Sequence, residues 1–200
     1  MNKARVLLLN PPTTATTRGI LLNLAYLAAS LRKAGHEARI IDAAMPYYPI
    51  SVEGVTSQIK EFAPHFIGVT LAIDRIARTY QYLKELRSLN VSIVAGGPHP
   101  NSLPEEVLNN GADIVAIGEG EETIVELAEH FAGGRPLDTI TGLCFKNVRG
   151  EPAFTDRRAL ISDLDVVPFP DFKDFPIERY TGSLDVNSNP VFWSILSSRG

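Results

Sequence analysis

Residues 92–127 read SIVAGGPHPNSLPEEVLNNGADIVAIGEGEETIVEL. Two short apolar runs, residues 91–95 and 113–117, stop abruptly at glycine, the first at Gly96 and Gly97, the second at Gly118-Glu119-Gly120. An apolar run that passes through a tight turn into a helix is the pattern of a parallel strand buried on both faces. In an open α/β sheet such turns collect at the carboxyl edge, where diverging loops leave a crevice for ligands. A pair of them on neighbouring strands predicts a large flat ligand lying over that edge. Glycine suits the place because, with no side chain, it lets a ligand approach the backbone. One such turn is explained by geometry alone; two, with His99 and Glu119 set inside them, point to binding.

Toward the amino end, residues 5–9 form a continuous apolar run halted by Asn10-Pro11-Pro12, because proline has no N–H to give to a ladder. After a Thr-rich loop, apolar residues recur at helical spacing over residues 20–34 (Leu21, Leu24, Leu27, Ala28, Leu31), and Gly35 is the stop. Residues 37–42 read as the second strand. Its terminal Asp42 would suit a ribose hydroxyl in a dinucleotide fold, but no G-x-G-x-x-G precedes it. Ser51 is placed to cap a helix reaching Phe62, with Gly54 rather than an acid at its third position. Residues 66–71 give the third strand, and Gly68 within it marks a close approach. Asp74 is expected to cap a helix reaching Leu89, with Ile76, Tyr80, Leu83 and Leu86 on one side. Pro104 opens a short helix between strands four and five, and residues 121–131 form the last helix.

This alternation predicts an α/β fold, a doubly wound five-stranded parallel sheet of strand order 2-1-3-4-5. Beyond Gly133-Gly134, residues 143–148 and 152–155 read as a small β-hairpin, a proline-rich linker follows, and residues 191–196 form a new apolar run. The expected divisions are 1–133, 134–190 and 191–200.

A net charge of −4 without long charge runs gives no reason to expect nucleic acid or an anionic membrane as partner. The apolar runs are too short for a membrane span, and the start lacks a signal peptide's cleavage site, so the chain reads as cytoplasmic. Cys144, the single cysteine, excludes an internal disulfide or a cluster held by several thiolates of this chain, and reads as a buried small hydrophobe. A phosphoacceptor receiver would need acids after strand one and an Asp ending strand three, where this chain has Asn10 and Thr70; the P-loop motif is absent. Of the four histidines, His36, His65 and His130 fall away from the ligand edge and read as surface or packing residues. His99 sits in the first glycine turn, where it suits either a bound ligand's phosphate or amide or a hydrogen bond within the loop.

Asn10-Pro11-Pro12, Gly19, LAYLAASLRKAGHEARIID, IGVTL, VAGGPHP and IGEGEET, in this order and spacing, resemble the cobalamin-binding domain at the amino end of B12-dependent radical S-adenosylmethionine enzymes. The likeness covers about residues 4–132, and SDLDVVPFPDF is similar to the linker that follows in that family. It implies a Rossmann-like (flavodoxin-like) sheet, cobalamin as cofactor, and a parent enzyme, a methyltransferase, in which cobalamin relays a methyl group. It further implies that FWSILSSRG belongs to the first strand of a radical barrel missing from this chain, whose C-x-x-x-C-x-x-C would hold a 4Fe-4S cluster beside S-adenosylmethionine. The chain alone would then bind but not catalyse, its partner being that missing domain, and its apolar tail with Trp193 is expected to associate with other surfaces.

No D-x-H-x-x-G lies between Asn10 and Gly19. The resemblance therefore implies base-off cobalamin without a His ligand, its lower face covered by the loop at residues 71–75. The candidate cofactor-binding residues are Pro12, Thr13, Thr14, Thr16 and Gly19 in the first loop, Thr70, Leu71, Ala72 and Ile73 after strand three, Gly96, Gly97 and His99 after strand four, and Gly118, Glu119 and Gly120 after strand five. The alternative is a scaffold or interaction domain that keeps the fold without the cofactor. A bulky residue at Gly97 is expected to separate the two, abolishing corrin affinity with little change in stability.

Overall fold

The computed structural model describes residues 2–12, 19–45 and 48–180. Thr13, Thr14, Thr16 and the segment 191–200 lie outside the described residues. Five strands, β1 (Arg5–Asn10), β2 (Glu37–Asp42), β3 (Phe66–Thr70), β4 (Ser92–Gly96) and β5 (Ile114–Ala116), pair in parallel in the order β2-β1-β3-β4-β5. Two more, β6 (Leu143–Lys146) and β7 (Pro152–Phe154), continue the same sheet antiparallel. The sheet is thus seven-stranded and mixed, which corrects the expected five-stranded parallel sheet with a separate hairpin. The physical reason lies at β5: as an edge it would carry a row of unpaired backbone groups, and β6 satisfies them. The pattern of residues 143–155 shows a hairpin but not which edge it joins.

Among the described residues six α-helices cover the sheet: α1 (Leu22–Lys33), α2 (Val52–Phe62), α3 (Ile76–Leu86), α4 (Pro98–Ser102), α5 (Pro104–Asn109) and α6 (Gly120–Phe131). Alternation along the strands splits the core in two. Val6, Leu8, Phe66, Val94 and Ile114 pack under α1 and α6, whereas Leu7, Leu9, Ile67, Val69 and Ile93 pack under α2, α3 and α5. Ser51 caps α2 as its spacing predicts, its Oγ accepting from Gly54 N–H at 3.2 Å. The expected Asp74 cap is not formed: a 3-10 turn (Ile73–Arg75) precedes α3, and Asp74 accepts instead from its neighbour's Arg75 Nε at 3.1 Å. Among the described residues, no helix is long and apolar enough to cross a membrane.

The segment after the hairpin returns to the sheet's other end. Arg32 on α1 places Nη1 2.7 Å from the Asp171 carboxylate and donates from Nη2 to Asp174, which also accepts from Ile40 N–H. Phe175 and Tyr180 enter the core beside β2. Buried Asp42 accepts from Asn10 Nδ2 at 2.6 Å and from the Tyr180 hydroxyl at 2.8 Å, so it is a structural anchor. Burial and that neighbouring carboxylate hold the Tyr180 phenol protonated far above its ordinary range. His36, His65 and His130 are packing residues: His36 and His65 accept at Nδ1 from Ala4 and Arg5 N–H, and His130 Nδ1 bonds the Arg135 carbonyl.

Candidate functional site

The carboxyl ends of β1, β3, β4 and β5 open into a cleft of about 170 Å³ that descends between α1 and α6. Its placement follows from register. Leu8, Gly68 and Val94 are aligned across β1, β3 and β4 and form the floor, with Thr70 and Gly96 aligned two residues further along at the rim. Helix α1 contributes Asn23, Leu24 and Leu27, and α6 contributes Gly120, Glu121, Ile124 and Leu127. Asn23 Nδ2 donates to Thr70 Oγ1 at 3.2 Å across the mouth. A smaller hollow of about 60 Å³ adjoins it, sharing Thr70 and reaching Pro11, Leu21, Ala72 and Arg75.

Of the residues singled out by sequence, the structure brings Thr70, Gly96, Gly97, Gly118 and Gly120 together around the cleft. What an added side chain would meet distinguishes these glycines. At Gly97, φ is +113° and a Cβ would lie 3.0 Å from the Leu71 carbonyl oxygen, so geometry alone demands glycine there. At Gly120 a Cβ would press on Leu27 at 3.0 Å, so the close approach of α6 to α1 accounts for it. Gly96 differs from both: its backbone is ordinary strand, and a Cβ would find nothing within 4 Å among the described residues. Among the described residues, neither backbone conformation nor packing accounts for the glycine at Gly96.

His99 and Glu119 serve the scaffold. His99 is buried, with Nε2 2.7 Å from the Tyr80 hydroxyl, which also donates to Glu106 at 2.9 Å. Burial and Glu106 push the Tyr80 phenol well above its ordinary range, so it stays protonated and can donate. This triad clamps the first glycine turn to α3 and α5. Glu119 accepts from Ile161 N–H at 2.6 Å and so ties the second turn to the returning segment, while Asn101 Oδ1 accepts from Gly118 N–H at 2.9 Å and links the two turns. Leu71 is fully buried, whereas Ile73 is 63% exposed and lifts an apolar side chain from the loop after β3. Pro12 and Gly19 flank the segment outside the described residues, Gly19 buried at φ +147°. Cys144 is buried against β5, where desolvation and then Glu105 push its thiol up to about 11, as suits an inert side chain.

Sequence reasoning missed the cleft walls. Leu24, Leu27, Ile124 and Leu127 carry the spacing of ordinary core-facing helix residues, and nothing in that spacing separates a leucine that touches the sheet from one that lines a slot.

A family model described as "B12 binding domain" matches residues 12–128. An uncharacterized methyltransferase of Pyrococcus horikoshii is 32% identical over 213 residues, taking in 100% of this chain and 44% of that protein. The cytidylyl-2-hydroxyethylphosphonate methyltransferase of Streptomyces wedmorensis is 27% identical over 220 residues, covering 88% of this chain and 41% of its own. The chain thus spans less than half the length of these curated relatives. Among solved structures, the cobalamin-dependent S-adenosylmethionine radical enzyme OxsB, with aqua-cobalamin and S-adenosylmethionine bound, superposes with a TM-score of 0.75 at 18% identity, over 86% of this chain and 24% of its own. The radical S-adenosylmethionine methyltransferase TsrM of Kitasatospora setae, with cobalamin and a [4Fe-4S] cluster bound, gives 0.67 at 22% identity, over 80% and 30%. At these identities the two structures show a shared fold.

Proposed function

Because the chain belongs to the B12-binding domain family, we propose that it holds a cobalamin over the carboxyl edge of its sheet, as the cofactor module of a cytoplasmic methyltransferase of the radical S-adenosylmethionine type. The observation that carries this reading is Gly96: bare backbone at a strand end on the rim of the cleft, where an added Cβ would meet none of the described residues within 4 Å. The donor set suits a corrin, whose broad apolar ring carries amides on its rim. The ring needs backbone N–H groups and hydroxyls more than charge; Thr70 brings a hydroxyl to the rim, and the Thr-rich loop after β1 is the further source that the sequence offers. The nucleotide tail would descend into the cleft between α1 and α6, past Thr70 and Gly96.

In this reading Ile73 and its loop meet the lower face of the ring. The cofactor is base-off and takes no histidine from this chain, since His99 is engaged by Tyr80 and the other three histidines pack elsewhere. When bound, cobalamin supplies a metal centre able to carry a methyl group. This chain's own residues bind and orient it: the clamped turns fix the ring's height, and the apolar walls keep water from the tail. A 4Fe-4S cluster and S-adenosylmethionine would come from the remainder of a longer polypeptide, with the chain beyond the β6–β7 hairpin leading toward it and residues 191–200, outside the described residues, assigned to its barrel. The names of the relatives support the methyl-transfer part of this reading.

The test is direct. After incubation with hydroxocobalamin and desalting, the chain is expected to retain one corrin per polypeptide with the absorption spectrum of the base-off form. A colourless protein would overturn the cofactor reading in favour of a scaffold that keeps only the fold.

A further inference from the structure

We propose that the cleft selects among corrinoids by the base of the nucleotide tail, accepting an apolar benzimidazole and rejecting a purine. The inference rests on the reading of the cleft as the seat of that tail. It comes from the way polar groups are layered there. The polar side chains that line the cleft are Asn23 and Thr70, hydrogen-bonded to each other at the end of β3, and Glu121 in the first turn of α6, which places all three toward the rim. Two residues further down each strand, about 7 Å deeper, the lining is Leu8, Gly68 and Val94, faced by Leu24 from α1 and by Ile124 and Leu127 from α6.

Backbone groups at that depth are already committed. Leu8, Gly68 and Val94 stand in register within the central ladder, so their N–H and C=O groups lie in the plane of the sheet and bond to neighbouring strands. The interior turns of α1 and α6 bond along their own axes. A ring seated at the bottom therefore meets carbon on every side. Gly68 marks where the cleft ends: a Cβ there would stand 3.0 Å from Leu8 Cδ2 and 3.8 Å from Ile124 Cδ1, so these two side chains already close over it and form the apolar bottom.

A dimethylbenzimidazole presents C–H edges and two methyl groups to such walls, and each buried methyl favours binding. A purine presents an exocyclic amino group and additional ring nitrogens, which would lose water and gain no partner. Loss of even one such hydrogen bond is worth a factor of roughly 30 in affinity. The rim groups do not rescue it, because a purine that reached Thr70 or Glu121 would sit too high to seat its ring.

The experiment titrates the full chain with three corrinoids by absorbance: cobalamin, adeninylcobamide and tail-less cobinamide. All are kept in their dicyano forms, because cyanide displaces the base from cobalt and leaves them differing only in the tail. The expected result is that cobalamin binds tightest, with adeninylcobamide weaker by roughly 30-fold or more and close to cobinamide. Equal affinity for cobalamin and adeninylcobamide would overturn the selectivity and leave the cofactor reading standing. Cobinamide binding as tightly as cobalamin would also overturn it, by showing that the tail is not seated in the cleft. Failure of all three to bind would remove the cofactor reading itself.

Discussion

Gly96→Val is expected to weaken corrin binding by at least about 100-fold while leaving the melting temperature unchanged or slightly raised. In the proposed reading the side chain would fill the mouth of the cleft where ring and tail pass, while among the described residues no atom lies within 4 Å of the new Cβ. Glycine within a strand is unfavourable by about 0.5–1 kcal/mol, so valine at this last residue of β4 should gain at most about 1–4 °C. Gly97→Val, the substitution the sequence recommends, separates the readings poorly. It places a β-branched residue at φ +113° against the Leu71 carbonyl, so stability and binding would fall together. Thermal melts and dicyanocobalamin titrations on both variants check this. Unimpaired corrin binding by the Gly96 variant would mean that the ligand does not cross this edge.

Arg32→Ala is expected to destabilise the chain by about 2–4 kcal/mol, or roughly 5–15 °C in melting temperature. Arg32 holds Asp171 and Asp174 against α1 and also donates to the Ala38 carbonyl. Its loss leaves two partly buried carboxylates without the guanidinium they share and frees the segment that carries Phe175 and Tyr180 into the core. The effect has a pH signature. Burial alone would raise the Asp171 carboxyl, but the Lys173 N–H, the hydrogen bond and charge of Arg32 and the charge of Lys173 together hold it below the usual carboxylate range. A carboxyl depressed on folding contributes stability that is whole above the unfolded value near pH 4 and is lost as pH falls through the lower folded value. The gap between wild type and variant should therefore be full at pH 7 and close in acid. Equal melting at pH 7 would show that the returning segment is held by its aromatic residues alone.

The parallel half of the sheet was legible because its strands are largely apolar runs and four of the five are closed by a turn former: Asn10-Pro11, Asp42, Gly96-Gly97, Gly118. Those residues do there what their chemistry predicts. The glycine rim of the site was legible for the same reason. What the pattern could not reveal was pairing at long range. Arg32 meets Asp171 and Asp174 across some 140 residues of chain, and β6 joins β5 across α6; neither leaves a periodicity. His99 stood in a ligand turn by sequence, and only the Tyr80 hydroxyl, 19 residues earlier, decides that it faces inward. Asp74 was misread because a short polar residue ahead of a helix signals a cap, whereas here the adjacent guanidinium outcompetes the helix N–H groups for it.

The reversed hairpin bears on the kinetics of the site as well as on its shape. Strand β5 is three residues long and shares only two registered pairs with β4, so much of its hold comes from β6, where Val115 stands opposite Cys144. Just beyond, Ile117 N–H donates to the Gly142 carbonyl at 2.7 Å, so the hairpin closes directly beneath the Gly118 turn. A fragment ending at Gly133 would keep every parallel strand and still leave that turn on a loose edge. In the intact chain Cys144 is a built-in clock for this joint: its thiol is buried and pushed up to about 11, so a thiol reagent reaches it only when β6 lifts from β5. Its labelling rate measures how often the second glycine turn comes undone. A corrin that rests on that turn should slow the labelling in proportion to its occupancy.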